Sequence, residues 1–209
     1  MKVFSLLKIF IIVTGLSFLS SFAIAEIIDV NLGESIQLAI DGATFGDEVH
    51  VAPGTYYQFD IQMKDGVSLI GSGYSRTIID GQNQVDPNAD WMGGVGISCF
   101  SIGDATKISG FTITNVQTGI YCRSSTLTIE NNYITNLRRP AILDDPDPPS
   151  NTGGRGIVLV GRLSTGYCSP IIRNNVLFDI LGKGIDGEGE CSPQIINIRS
   201  TGRLPTFAT

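Results

Sequence analysis

Ile108-Ser-Gly-Phe-Thr-Ile-Thr-Asn115 returns 21 residues later as Ile129-Glu-Asn-Asn-Tyr-Ile-Thr-Asn136, and a third version stands at Ile172-Arg-Asn-Asn-Val-Leu-Phe-Asp179. Between the first two copies lies Gly119-Ile-Tyr-Cys122, and its Gly-Ile pair recurs at Gly96-Ile97, Gly156-Ile157 and Gly184-Ile185, so that the four pairs are separated by 23, 37 and 28 residues. Ser-Pro recurs as well, at Ser169-Pro170 and Ser192-Pro193. Repeats of this length define a solenoid or an array. The runs are short, rich in Ile, Thr, Val and Tyr, and punctuated by Gly and Asn, which makes each unit a set of short strands rather than helices. One unit is then one coil of a β-solenoid; a β-sandwich with chance internal similarity is the alternative. Asn131 with Asn174, and Asn132 with Asn175, fall at matching places. There asparagine tolerates a left-handed backbone in a turn, and stacked amides can hydrogen-bond along the solenoid axis.

Strand alternation carries the repeat into side-chain directions. Ile97, Ile120, Ile157 and Ile185 are expected to stack in one buried column, with Cys99 and Cys122 also inward. Ser98, Tyr121, Val158 and Asp186 then form one outward row, and Phe100, Arg123, Val160 and Glu188 the next.

Further residues carry a family resemblance. Ser35-Ile-Gln-Leu-Ala-Ile-Asp41 is followed by Gly46-Asp-Glu-Val-His-Val-Ala-Pro-Gly-Thr-Tyr56, by Gly66-Val-Ser-Leu-Ile-Gly-Ser-Gly73 and by Thr77-Ile-Ile-Asp-Gly81. With the repeats, this series resembles the right-handed parallel β-helix proteins of the pectin-lyase-like superfamily, with repeats of the PbH1 type. The resemblance implies an all-β fold, a right-handed parallel β-helix with a short N-terminal capping helix. It is specific for the fold and weak for activity. The pectin methylesterase stretch G-x-Y-x-E is answered by Thr55-Tyr56-Tyr57-Gln58, without the acid. The polygalacturonase motifs are missing except for an isolated Asp144-Asp145, and Arg138-Arg139-Pro140 lacks the second arginine of the pectate-lyase motif.

Residues 1–25 carry Lys2 and Lys8, an apolar run, and Ala23-Ile-Ala25 before Glu26. This is the pattern of a signal peptide with an A-x-A cleavage site; an uncleaved anchor helix is the alternative. Residues 26–209 then form one β-helix domain, expected to be incomplete at its C-terminal end because the repeat breaks down after Asn197. Secretion, to a periplasm, a cell surface or the medium, follows from the leader. The whole chain has a net charge of −6, and −8 without Lys2 and Lys8, which argues against nucleic acid and anionic membrane as partners. No other segment is apolar for long enough to span a bilayer.

Between Glu34 and Ala43, the residues Ile36, Ala39, Ile40 and Ala43 share one helical face, as a cap on the first coil requires. Asp47 to Ala52 is expected as the first strand, with Val49 and Val51 inward and His50 outward, and Thr55 to Met63 as the second. A solenoid of roughly six coils follows. A polar excursion over 82–94 holds the only tryptophan, Trp91, and a longer one over 138–155 is rich in Pro and Asp. Each enters a coil just before a Gly-Ile pair, so both emerge at the same corner.

Four cysteines stand at 99, 122, 168 and 191. Adjacent coils lie about 4.8 Å apart, which permits a disulfide and equally permits stacked thiols; reduced, stacked thiols are favoured. No C-x-x-C pair or Cys/His cluster suggests zinc.

The chemistry-bearing residues gather near one corner. Asp186 and Glu188, with Arg155 and Lys183 immediately before matching Gly-Ile pairs, are the candidate catalytic groups. Trp91 and Tyr121 are the candidate sugar-binding aromatics. Asp144, Asp145 and Asp147 are candidate ligands for Ca²⁺, a hard ion suited to carboxylate oxygens. The superfamily resemblance implies a polysaccharide or cell-surface glycan as partner, one rich in uronic acid. The enzyme implied is a polysaccharide lyase or a glycoside hydrolase; the competing reading is a non-catalytic surface or periplasmic scaffold, since fold alone does not decide activity.

Overall fold

A computed structural model describes residues 25–82, 94–137, 153–164, 166–201 and 206–207. Residues 1–24, Trp91, Asp144, Asp145 and Asp147 lie outside the described residues. The chain winds as a right-handed parallel β-helix whose strands fall into three parallel sheets. Sheet A holds Ile27–Val30, Glu48–Val51, Ser68–Gly71, Lys107–Ser109, Thr128–Glu130, Ile171–Arg173 and Gln194–Ile196. Sheet B holds Gly54–Tyr56, Thr77–Asp80, Thr112–Thr114, Tyr133–Leu137, Val176–Ile180 and Arg199–Ser200. Sheet C holds Ile61–Gln62, Val95–Phe100, Thr118–Arg123, Arg155–Gly161, Ile185–Gly189 and Thr206–Phe207. Among the described residues each coil from Glu48 onward runs A, B, C, which gives the six coils that the repeat implies.

The sequence repeat is the A-to-B corner. In each copy an isoleucine ends the inward side of sheet A, and one residue then turns the chain in the left-handed region: Gly110 at φ 85°, Asn131 at 56°, Asn174 at 56° and Asn197 at 50°. Glycine and asparagine enter this region at least cost. The residue after the turn points into the core, where Phe111, Asn132 and Asn175 are all fully buried. The two amides form a ladder. Phe111 N–H donates to Asn132 Oδ1 at 3.0 Å, and Asn132 N–H to Asn175 Oδ1 at 3.0 Å. Their Nδ2 groups donate to the carbonyls of Ile108 and Ile129. The B-to-C corner uses the last residue of each copy in the same way, with Asn115, Asn136 and Asp179 at positive φ.

The helix spans Ile36–Gly42, shorter at both ends than the periodicity indicates. Ser35 caps it, accepting from Leu38 N–H at 3.2 Å, and Ile36, Ile40 and Ala43 are buried over the first coil. Two expectations need correction. The first strand is Ile27–Val30, ahead of the helix and paired with Glu48–Val51; four residues with only Val30 fully buried leave too little periodicity to read. Thr55 to Met63 is two strands in two sheets, Gly54–Tyr56 and Ile61–Gln62, because Asp60 at φ 53° bends the chain between them. The register runs past Asn197: Arg199–Ser200 pairs with Val176–Ile180, and Thr206–Phe207 with Ile185–Gly189. Backbone pairing does not depend on the repeat consensus.

Inside, Ile97, Ile120, Ile157 and Ile185 pair in register and are essentially solvent-free. The four cysteines are free thiols. Cys99 and Cys122 face the core on neighbouring strands. Val49 and Val51 are buried and His50 faces out, Nε2 lying 2.7 Å from Glu48 Oε2.

Candidate functional site

The outer face of sheet C carries the chemistry because each Gly-Ile pair interrupts strand alternation. A Cβ on Gly119 would lie 2.6 Å from the Gly156 carbonyl oxygen and 2.7 Å from Ile134 Cγ2, and one on Gly96 would meet Gly119 and Ile113 in the same way. These glycines therefore face the core, as do the isoleucines that follow them. The residue before each glycine is thereby turned outward. That residue is Val95, Thr118 or Arg155 on successive coils, with Lys183 at the same place in the next coil.

Register then assembles the four candidate catalytic residues. Val158 pairs with Asp186 and Val160 with Glu188. Arg155 reaches forward one coil, placing Nη1 3.6 Å from Asp186 Oδ2 and 3.8 Å from Glu188 Oε1. Lys183 Nζ donates to Asp186 Oδ1 at 2.7 Å. Both oxygens of Asp186 thus face cations, and its side chain is 5 % exposed against 52 % for Glu188 and 46 % for Lys183. Asp186 is placed to hold the two cations, while Glu188 and Lys183 are the members that reach solvent.

Tyr121 points outward as alternation requires, yet it is buried, clustered with Val95, Val158 and Val160 on the outer side of the sheet. Burial pushes its phenol up from the ordinary tyrosine value; Arg123, Arg162 and Arg155 oppose that shift and Glu188 adds to it. The ring that solvent reaches is Phe100, 43 % exposed and tilted at 49° to Tyr121 with centroids 5.6 Å apart. Sequence reasoning placed Phe100 in an outward row without giving it a role. Its signal was available in that row, where it is the only aromatic. Arg123 and Arg162, close enough to act on Tyr121, were not singled out; Arg162 follows the strand, where alternation gives no direction.

The segments holding Trp91 and the three aspartates are each bounded by a sheet B strand and a sheet C strand, Thr77–Asp80 to Val95–Phe100 and Tyr133–Leu137 to Arg155–Gly161. The flanking strands thus place both breaks at the B-to-C corner, with a single coil between them. No group of three or more metal-ligating side chains gathers among the described residues. A surface cleft of about 630 Å³ lies elsewhere, lined by Leu32, Glu34, Thr55, Tyr57 and Gln58 among others. It carries no cation, and Gln58 is occupied there in accepting from Ile36 N–H at 3.0 Å and donating to the Glu34 carbonyl. The residue that stands where the esterase motif has its acid is thus a helix cap, and the ionic cluster on sheet C is the stronger candidate.

Coiled parallel sheets around an isoleucine core, with an ionic cluster on one outer face, define a β-helix protein with a charged lateral surface. Residues 34–193 match the family described as protein of unknown function (DUF1565), and the chain belongs to that family. Among solved structures it is similar to the alginate lyase of Paenibacillus sp. str. FPU-7, with a TM-score of 0.58, 15 % identity, and coverage of 85 % of this chain and 58 % of that one. The chain thus spans little more than half the length of that enzyme, and at this identity the likeness is one of fold. No curated protein matches the chain. Among the described residues no helix is long and apolar enough to cross a membrane.

Proposed function

We propose that this chain is a secreted β-helix protein that binds a uronate-bearing polysaccharide along the outer face of sheet C. The observation that carries the reading is the cluster of Arg155, Lys183, Asp186 and Glu188. A uronate carboxylate needs a cation held in place, and Asp186 holds both Arg155 and Lys183 where solvent reaches the edge of the cluster. An arginine fork suits a carboxylate in particular. Phe100 adds an exposed apolar ring on the same face for a sugar to lie against, and Trp91 is proposed as a second sugar-binding ring. The likeness to an alginate lyase is consistent with such a ligand. From Ser98 to Asp186 the face runs three coil spacings, about 14 Å, room for a short stretch of sugar chain.

If the chain turns its ligand over, β-elimination suits the site better than hydrolysis. Elimination beside a carboxylate needs a cation to stabilise the charge that develops and a base for the adjacent proton. Arg155 and Lys183 are the proposed stabilisers, and Glu188, the carboxylate that reaches solvent, is the proposed base. Hydrolysis asks one of two carboxyls to donate a proton, and Asp186 already faces two cations. Asp144, Asp145 and Asp147 are proposed to add Ca²⁺, which would bridge to the ligand's carboxylates.

Affinity electrophoresis through alginate and polygalacturonate, with and without Ca²⁺, tests the binding. The parent should be retarded and Arg155→Ala should be released at least several-fold. Equal mobility of parent and variant in every acidic glycan removes the proposal. New ultraviolet absorbance from unsaturated ends separates a lyase from a scaffold that only binds. Expressed with its leader, the protein should begin at Glu26 on N-terminal sequencing; an intact Met1 would remove the secretion reading.

A further inference from the structure

We propose that Cys168 and Cys191 form a thiol–disulfide modification site, at which a small-molecule disulfide joins two neighbouring coils through one covalent bond. The two residues pair directly as a parallel bridge on successive coils. Neighbouring parallel strands stand about 4.8 Å apart, inside the roughly 4.4–6.8 Å over which α-carbons accommodate a disulfide. Access differs sharply between the two thiols. Cys168 is fully buried, its Sγ directed at the Cys122 carbonyl at 3.5 Å, whereas Cys191 is partly exposed, its Sγ 3.2 Å from the Glu188 carbonyl. Cys99 and Cys122 make a second register pair, but both are fully buried and present no sulfur to an oxidant in solution. One couple of the four thiols therefore has an attacking member at the surface and a resolving member behind it.

The reaction balances with oxidised glutathione as the co-reactant. The Cys191 thiol gives its proton to solvent, and the thiolate attacks one sulfur of the glutathione disulfide. A mixed disulfide forms and one glutathione thiolate leaves. Cys168 then loses its proton and attacks the Cys191 sulfur, expelling the second glutathione. Two protein thiols lose two electrons and two protons, and one glutathione disulfide becomes two glutathione thiols. Burial pushes the Cys168 thiol up to about 12 and raises Cys191 as well. Both are thus protonated at neutral pH, and the rate should climb about tenfold per pH unit while thiolate remains scarce.

The test incubates the folded chain with oxidised glutathione at several pH values, quenches with iodoacetamide in denaturant, and reads the peptides by mass spectrometry. The expected product links the Cys168 and Cys191 peptides with the loss of two hydrogens, while Cys99 and Cys122 are alkylated. Cys168→Ser should arrest the reaction with glutathione on Cys191, and Cys191→Ser should leave Cys168 unreacted. The inference is overturned if the parent keeps all four thiols, if it stops with glutathione on Cys191 and Cys168 free, or if Cys99 and Cys122 are the pair that joins. The parent's own peptide map decides even where a serine variant fails to fold.

Discussion

Asp47 shows how much one side chain carries at the start of the coil. Its carboxylate accepts from Glu26 N–H at 2.9 Å, and from Thr44 N–H at 2.7 Å and Thr44 Oγ1 at 2.9 Å, tying the first strand to the end of the helix. The Glu26 bond and then the Thr44 bonds hold its pKa below the ordinary 3.8. A depressed carboxylate stabilises the fold fully above its unfolded value and loses that contribution as pH falls through the folded one. The parent's melting temperature should therefore drop more steeply below pH 3.8 than that of Asp47→Ala, which starts lower at neutral pH. Parallel acid limbs in a calorimetric pH series would contradict this. Gly119 is constrained in a different way. Its Cβ position is filled by a carbonyl oxygen of the next coil and by Ile134, so Gly119→Ala should cost about 1–3 kcal/mol by overpacking, read as a lower urea midpoint.

The asparagine ladder acts at the scale of the element, since it ties three corners into one. Asn132 serves the coil below through Phe111 N–H and Ile108 O, and meets the coil above through Asn175 Oδ1. Asn132→Ala would leave buried donors and acceptors without partners, at about 1–3 kcal/mol for each group stranded. Asn131→Ala strands nothing in the core but forces alanine into a left-handed turn, where the cost is about 1–2 kcal/mol. The first variant should thus be the more destabilised in urea melts, and the opposite order would remove the ladder as the cause. Cross-coil pairing also explains why the corner motif is the best-kept part of the repeat: each copy must match its neighbours as well as its own turn.

Across the whole molecule each coil's core is completed by the coils on either side. Ile120 is fully buried and paired with Ile97 before it and Ile157 after it. Ile120→Asp would forfeit about 2 kcal/mol of apolar burial and place an unpaired charge among isoleucines, at several kcal/mol more. Against a typical stability of about 5–15 kcal/mol this should abolish cooperative folding, and a soluble variant melting in one sharp transition would mean the inward column is misassigned. The ionic cluster has the same dependence on neighbours, since Arg155 finds Asp186 and Glu188 only because the next coil brings them alongside.

The sequence by itself determined the coil. The repeat from Ile108 to Asn136 contains the left-handed corner, the inward amide and the inward isoleucine, all local consequences of backbone sterics and strand alternation, and the outward rows follow by counting. It also put Arg155, Lys183, Asp186 and Glu188 near one another, because parallel stacking turns matching positions into neighbours. What counting could not supply was everything set by contact across coils. Tyr121 is outward yet buried, Phe100 is the ring that solvent reaches, Gln58 is a helix cap, and Ile27–Val30 joins a sheet whose other strands lie beyond the helix. Each is decided by what packs against the residue from a distant part of the chain, and the residue's own neighbours in sequence hold no record of that.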